Sequence, residues 1–139
     1  MDKRICFLID DDEDDREIFS LALETVDSSF GCSTAKNGLE AIKQLQSSAI
    51  IPHIIFIDLN MPYMSGKECL IAIREMKQLA DVPIIMYTTS SYRKDAEDTQ
   101  ALGASHFLVK PSSIGALTSV LSDIIQGEEL PYFLDTAKA

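Results

Sequence analysis

Basic residues are few in this chain: 12 Lys and Arg stand against 22 Asp and Glu, a formal net charge of −10 over 139 residues. That shortage argues against a nucleic-acid surface, because phosphate binding needs clustered cationic side chains. It suits a site that holds a cation or a basic partner face. Cysteine is also scarce. Cys6, Cys32 and Cys69 are widely spaced and odd in number, with no CxxC pair and no His/Cys metal spacing. Each falls in an apolar segment, so all three are expected to be small core residues in a reducing compartment. No apolar run reaches the ~18 residues of a membrane span, and no signal peptide is recognisable. The expectation is a soluble, cytoplasmic protein. Internal repeats and low-complexity stretches are missing too.

Hydrophobic residues make up 46% and charged residues 24% of the chain, an ordinary globular balance. The length suits one domain, large enough to bury roughly two-thirds of its unfolded surface. The order of the apolar residues is more telling. Short runs occur at "ICFLI" (5–9), "HIIFI" (53–57), "VPIIMY" (82–87) and "SHFLV" (105–109), with a weaker one at "FGCSTA" (30–35). Such runs, bounded by acids, Pro or Gly, fit strands buried on both faces.

Helix-length segments lie between them. The first, 14–27, presents Ile18, Leu21, Ala22 and Thr25 at helical spacing. The second opens at Asn37, a capping residue with Glu40 three positions on. The third, about 65–78, turns Leu70, Ile73 and Met76 inward. The fourth covers about 92–102. The fifth, about 113–126, carries Ile114, Leu117, Leu121, Ile124 and Ile125 and is stopped by Gly127. The order is strand–helix five times over, which predicts an α/β fold, (βα)5, with a doubly wound five-stranded parallel sheet and helices on both faces.

In such sheets ligands bind beyond the C-terminal ends of the strands. Asp10 and Asp11 follow the first strand, where five apolar residues run into six acids. Asp58 follows the third, with Asn60 two residues on. Thr88 and Thr89 follow the fourth, and Lys110 and Pro111 the fifth. A parallel sheet gathers these groups at one edge. Carboxylates with a backbone carbonyl make an all-oxygen site suited to Mg²⁺ or Mn²⁺. A divalent ion and Lys110 would offset the mutual repulsion of the carboxylates. One carboxylate then stays ionised and can attack phosphorus, while Lys110 and the Thr88 hydroxyl hold the remaining phosphoryl oxygens. Asp12 is expected to cap the next helix, whose dipole favours Glu13, Asp14 and Asp15 in its first turn.

The stretches "FLIDDDEDDRE", "KNGLEAI", "IIFIDLNMPYMSG", "VPIIMYTTS" and "GASHFLVKP" resemble the CheY-like receiver domain of two-component response regulators. The resemblance implies a flavodoxin-like strand order of 2-1-3-4-5. It implies Asp58 as phosphoacceptor, and Asp10, Asp11, Asp58 and the Asn60 carbonyl as ligands of Mg²⁺, with Mn²⁺ an alternative. Thr88 matches the hydroxyl that moves toward the phosphoryl group, Lys110 the lysine that pairs with it, Pro111 the proline that often follows a cis bond, and Gly66 the glycine of the loop after the phosphoacceptor. Phe107 stands at the family's aromatic switch position without the common tyrosine hydroxyl. In that family the positions of Asn60 and of Ser90, which is also a candidate helix cap, tune phosphoryl lifetime.

The same resemblance implies a signalling phosphoacceptor in two-component phosphorelays, not an enzyme, served by a sensor histidine kinase or histidine phosphotransfer protein and acting on a downstream effector protein. Direct nucleic-acid contact and membrane insertion are not expected, and the chain would be a monomer or a phosphorylation-dependent dimer. Residues 1–127 are expected to form the receiver and 128–139 a short tail without an output domain. Two alternatives stand beside this: a receiver-like interaction module independent of phosphorylation, and an aspartyl-phosphate phosphatase of the haloacid dehalogenase type. The second wants a carboxylate two residues after the nucleophile, where this chain has Asn60.

Three features allow a plainer account. His53 and His106 lack partners at ligand spacing and are expected to be structural. The fourth helix segment, "YRKDAEDTQA", has no large aliphatic residue and should dock weakly, a surface helix or a switch element. The tail, "EELPYFLDTAKA", is either frayed or docked through its apolar centre.

Overall fold

The structure is a computed structural model, and it describes residues 4–47 and 51–136. Five strands and five helices alternate: β1 (Arg4–Ile9), α1 (Glu13–Val26), β2 (Phe30–Ala35), α2 (Gly38–Ser47), β3 (Ile54–Ile57), α3 (Gly66–Arg74), β4 (Ile84–Thr88), α4 (Arg93–Ala101), β5 (His106–Val109) and α5 (Ile114–Ile125). A sixth strand, β6 (Phe133–Leu134), follows. All strand pairs are parallel and the sheet order is β2-β1-β3-β4-β5-β6. The expected order 2-1-3-4-5 is present, extended at the β5 edge by the tail.

Alternation along the strands feeds two cores. Phe7, Ile9, Ile55, Ile57, Ile84, Met86 and Phe107 face α2, α3 and α4, meeting Ala41, Leu45, Leu70, Ile73 and Ala96. Cys6, Leu8, Phe56, Ile85, Tyr87 and Leu108 face α1 and α5, meeting Phe19, Ala22, Leu23, Leu117 and Leu121. Both faces being covered explains why the strands read as unbroken apolar runs.

Local chemistry sets the helix ends. Asp12 accepts from the Asp15 N–H at 3.0 Å and caps α1. Asn37 accepts from the Glu40 N–H at 2.8 Å at the start of α2. Ser65 and Glu68 form a reciprocal capping box at α3. Gly103 and Gly127 both have positive φ and end α4 and α5. Their flanking bonds, Ala104 N–H to Thr99 O and Glu128 N–H to Asp123 O, are those of the Schellman motif.

Four expectations need correcting. The buried stripe of α1 is Phe19, Ala22 and Leu23, while Ile18 and Leu21 are exposed. Both sets obey helical spacing, but Phe19 packs edge-on against Phe56 and Tyr87 at centroid distances of 4.9 and 5.5 Å, and the larger ring sets the phase. Ile114 likewise is exposed, at the first turn of α5. The third helix ends at Arg74, and a 3₁₀ turn (Lys77–Leu79) replaces its last turn. The Arg74 guanidinium draws the chain round by donating to the carbonyls of Leu79, Val82 and Gly103. Cys32 is only half-buried because β2 is an edge strand, whereas Cys6 and Cys69 are in the core. Burial raises all three thiols, Cys69 to about 12, so none is poised to react.

Candidate functional site

The C-terminal ends of β1, β3, β4 and β5 converge at one edge of the sheet. Asp10, Asp11 and Asp58 each bring a carboxylate oxygen within 4.8 Å of the others. Asp10 is fully buried, Asp58 is 6% exposed, and Asp11 faces solvent. Asp10 is held by register, its N–H donating to Ala35 O and its Oδ1 accepting from the Asp12 N–H. The Asp58 N–H donates to Ile9 O at 2.8 Å, which ties the two strand ends together. Asn60 is exposed just beyond, and its backbone N–H acts to lower the Asp58 pKa.

Lys110 Nζ lies 2.9 Å from Asp10 Oδ2, 2.7 Å from Asp15 Oδ2 and 3.7 Å from Asp58 Oδ2. In this state its tighter partners are Asp10 and Asp15, and Asp58 is the outer one. Burial works against the Lys110 charge, but the contacts with Asp15 and Asp10 and the Asp58 charge outweigh it and raise its pKa. Burial pushes the Asp58 carboxyl up to about 7; Lys110 pulls it down and Asp10 pushes it further up. Asp10 is raised as well, chiefly by burial, against the Asp12 N–H and Lys110.

Asp10 Oδ2 is fully buried, and although Lys110 Nζ is near, it accepts no well-directed hydrogen bond. Lys110 already meets this buried oxygen as an ion pair, and an ionised carboxylate keeps further lone pairs for a second cation. Together with the all-oxygen donor set, this makes the residues present a good fit for a hard divalent ion.

Thr88 is buried as the last residue of β4, one position inside the strand where the sequence placed it just after. Its Oγ1 accepts from the Ser90 N–H at 3.2 Å, and its carbonyl accepts from the Lys110 N–H at 2.7 Å. Ser90 does not cap α4, whose first-turn flank is Tyr92. It instead donates to Asp95 Oδ2 at 3.0 Å. Phe107 is fully buried beneath Phe133, the two rings stacked at 5.7 Å. The Lys110–Pro111 bond is trans: no cis peptide occurs among the described residues, and the strand end is accommodated in the lower-energy isomer. His53 Nδ1 accepts from the Ile5 N–H and His106 Nδ1 meets Pro131 O, both structural contacts.

Sequence reasoning assigned Asp15 to the helix dipole and missed its ion pair with Lys110. The signal was its place at the third helical position, one turn from the strand end, where an acid faces the site. It also missed Lys67, which reaches from α3 to Asp95 and Asp98 of α4 at 2.9 and 3.0 Å. Nothing in the local pattern of either helix marks that pair.

Residues 6–122 match the family model of the response regulator receiver domain. The chain is 30% identical over 120 residues to a protein-glutamate methylesterase/protein-glutamine glutaminase of Methanococcoides burtonii, covering 85% of this chain and 33% of that protein. It is 31% identical over 91 residues to a chemotaxis protein CheY homolog of Campylobacter jejuni, covering 66% of this chain and 69% of that one. Among solved structures, the chemotaxis response regulator CheY4 of Vibrio cholerae is similar with a TM-score of 0.76 at 30% identity, covering 88% of this chain and 99% of that chain. The chain thus spans about a third of the length of the methylesterase it matches.

Proposed function

The chain belongs to the response regulator receiver family, and from that premise we propose that it accepts a phosphoryl group from a phosphohistidine on a sensor kinase or phosphotransfer protein onto Asp58. The observation that carries this reading is the meeting of Asp58, Asp10 and Asp11 with Lys110 at one strand edge, with the buried Asp10 Oδ2 in an ion pair with Lys110 at 2.9 Å. Asp10, Asp11, Asp58 and the Asn60 carbonyl would hold Mg²⁺, or Mn²⁺ in its place. The ion, when bound, supplies positive charge that keeps the carboxylates ionised and offsets charge on the phosphoryl oxygens.

The chain's own groups do the rest. An Asp58 carboxylate oxygen forms the bond to phosphorus as the bond from phosphorus to the donor's imidazole nitrogen breaks, and the imidazole leaves neutral by taking a proton from solvent. Lys110, already 3.7 Å from Asp58 Oδ2, shifts from its Asp10 and Asp15 contacts toward the new phosphoryl oxygens. The Thr88 hydroxyl turns to donate to a phosphoryl oxygen and gives up the bond it accepts from the Ser90 N–H. That exchange loosens the loop leading to α4, so the modified state favours a rearranged α4, β5 and α5 for a downstream effector protein. Water attack on the acyl phosphate resets the switch. The receiver spans about 1–127, and residues 128–139 act with it as a short tail.

Intact-mass measurement after incubation with acetyl phosphate and Mg²⁺ tests the reading. One added phosphoryl group on the wild type and none on Asp58→Asn is the expected result. An unmodified wild type, or the same gain on Asp58→Asn, would defeat it.

A further inference from the structure

Lys110 is shared among more acids than it can serve equally. Its Nζ donates to Asp15 Oδ2 at 2.7 Å, stands 2.9 Å from Asp10 Oδ2 and lies 3.7 Å from Asp58 Oδ2. Asp10 and Asp58, with Asp11, form the carboxylate cluster that suits a divalent ion. Asp15 stands outside that cluster, in the first turn of α1. The Tyr87 ring closes another side of the ammonium, with its centroid 5.2 Å from Nζ. Lys110 therefore rests between the cluster and a carboxylate that is not part of it.

The surroundings of Asp15 commit it to this contact. An acid at the third helical position often reaches back to the N-cap N–H. Here the Asp12 N–H donates to Asp10 Oδ1 at 3.0 Å, so that place is taken. Arg16, the next residue, is turned to the Asp10 carbonyl at 2.8 Å. Asp15 also keeps 35% of its side chain exposed, against 10% for Lys110. Water at that rim solvates the carboxylate whether the ammonium is on it or away. Buried Asp10 has no such freedom.

A divalent ion among Asp10, Asp11 and Asp58 would share two carboxylates with Lys110, and the two cations repel. With no further anion at hand, the ammonium closes the gap to Asp58 and occupies a lone pair that the ion needs. We propose that Asp15 is a positioning residue: it holds the Lys110 ammonium off Asp58 and so keeps the carboxylate cluster open to Mg²⁺. The inference rests on the Mg²⁺ reading of that cluster. The coupling is reciprocal, so the ion in turn drives Lys110 onto Asp15. Phosphoryl oxygens on Asp58 then draw the ammonium back across the same short gap.

Titration of the full chain with Mg²⁺ alone tests this, at constant ionic strength and with no phosphoryl donor. The amide shifts of Asp11 and Asn60 report binding. Asp15→Asn is expected to weaken Mg²⁺ binding about threefold or more. Asp14→Asn removes the same charge from the neighbouring exposed position and is expected to change the affinity little. An unchanged affinity in Asp15→Asn overturns the proposal. Equal weakening by Asp14→Asn also overturns it, because the effect would then belong to the general field of the helix end. A second background fixes the route. In Lys110→Met, adding Asp15→Asn is expected to leave the Mg²⁺ affinity where it was, since the residue acts through the ammonium. A further loss as large as in the wild-type background overturns the proposal, because Asp15 would then act on the ion directly. Should Lys110→Met lose its helical circular dichroism, the comparison of Asp15→Asn with Asp14→Asn decides. A wild type with no Mg²⁺-dependent shifts defeats the metal reading and this inference together, whereas a wild type that binds Mg²⁺ no better than Asp15→Asn defeats the inference alone.

Discussion

Gly66 has no side chain because none fits. A Cβ there would lie 2.4 Å from Asp58 O and 2.6 Å from Leu59 Cα, both backbone atoms that cannot rotate away. Its N–H also donates to Leu59 O at 2.8 Å, so the α3 start is pressed against the loop that carries Asn60. Gly66→Ala is expected to cost on the order of 1–3 kcal/mol in urea unfolding and to slow phosphorylation by displacing that loop; an unchanged midpoint would contradict the packing described. Asp58 itself is a stability liability without a cation. Its carboxyl titrates near 3.8 ordinarily and about 7 when folded, so the folded state holds more protons between those values. Stability from this group is therefore lost as pH rises from about 4 through about 7 and stays low above it. In chelator, Asp58→Asn is expected to be more stable than wild type at pH 8, by roughly 1–3 kcal/mol. The advantage should shrink toward pH 4, and a difference that does not vary with pH would exclude Asp58 as its source.

At the scale of the element, α4 behaves unlike its neighbours. Its buried residues are Ala96 and Thr99, and much of its anchorage is electrostatic: Lys67 reaches Asp95 and Asp98, and Ser90 reaches Asp95. These contacts run back to Thr88 through the Ser90 N–H. Weak apolar docking predicts faster amide exchange in α4 than in α1, and Lys67→Met should raise it further while costing global stability less than about 1 kcal/mol. Protection in α4 equal to that of α1 would contradict this. The poor apolar stripe of α4 was legible in the sequence, because it is a property of the helix alone. The inward face of α1 was not: i, i+3, i+4 spacing admits both the Ile18 and the Phe19 phase, and only the rings of Phe56 and Tyr87 across the sheet decide between them. The early end of α3 was likewise hidden, because Arg74 closes it through carbonyls up to Gly103, far along the chain.

At the scale of the molecule, the parallel sheet turns four separated strand ends into one site. Its order was legible because strands buried on both faces, alternating with helices, permit few arrangements. The acids at the strand ends were legible because charge has no other reason to follow an apolar run. The sixth strand was readable only as an apolar tail with two possible fates, since pairing with β5 depends on where α5 releases the chain at Gly127. The net charge of −10 concentrates partly at this edge, where Asp10, Asp15 and Asp58 carboxylates share Lys110 and Arg16 donates to the Asp10 carbonyl. The account stands on Asp58 being the nucleophile. After incubation with acetyl phosphate and Mg²⁺, borohydride reduction converts an aspartyl phosphate to homoserine, which peptide mapping locates. Homoserine at position 58 and nowhere else is the predicted result; homoserine at position 10 or 11, or none in a protein with both strand ends intact, would contradict it.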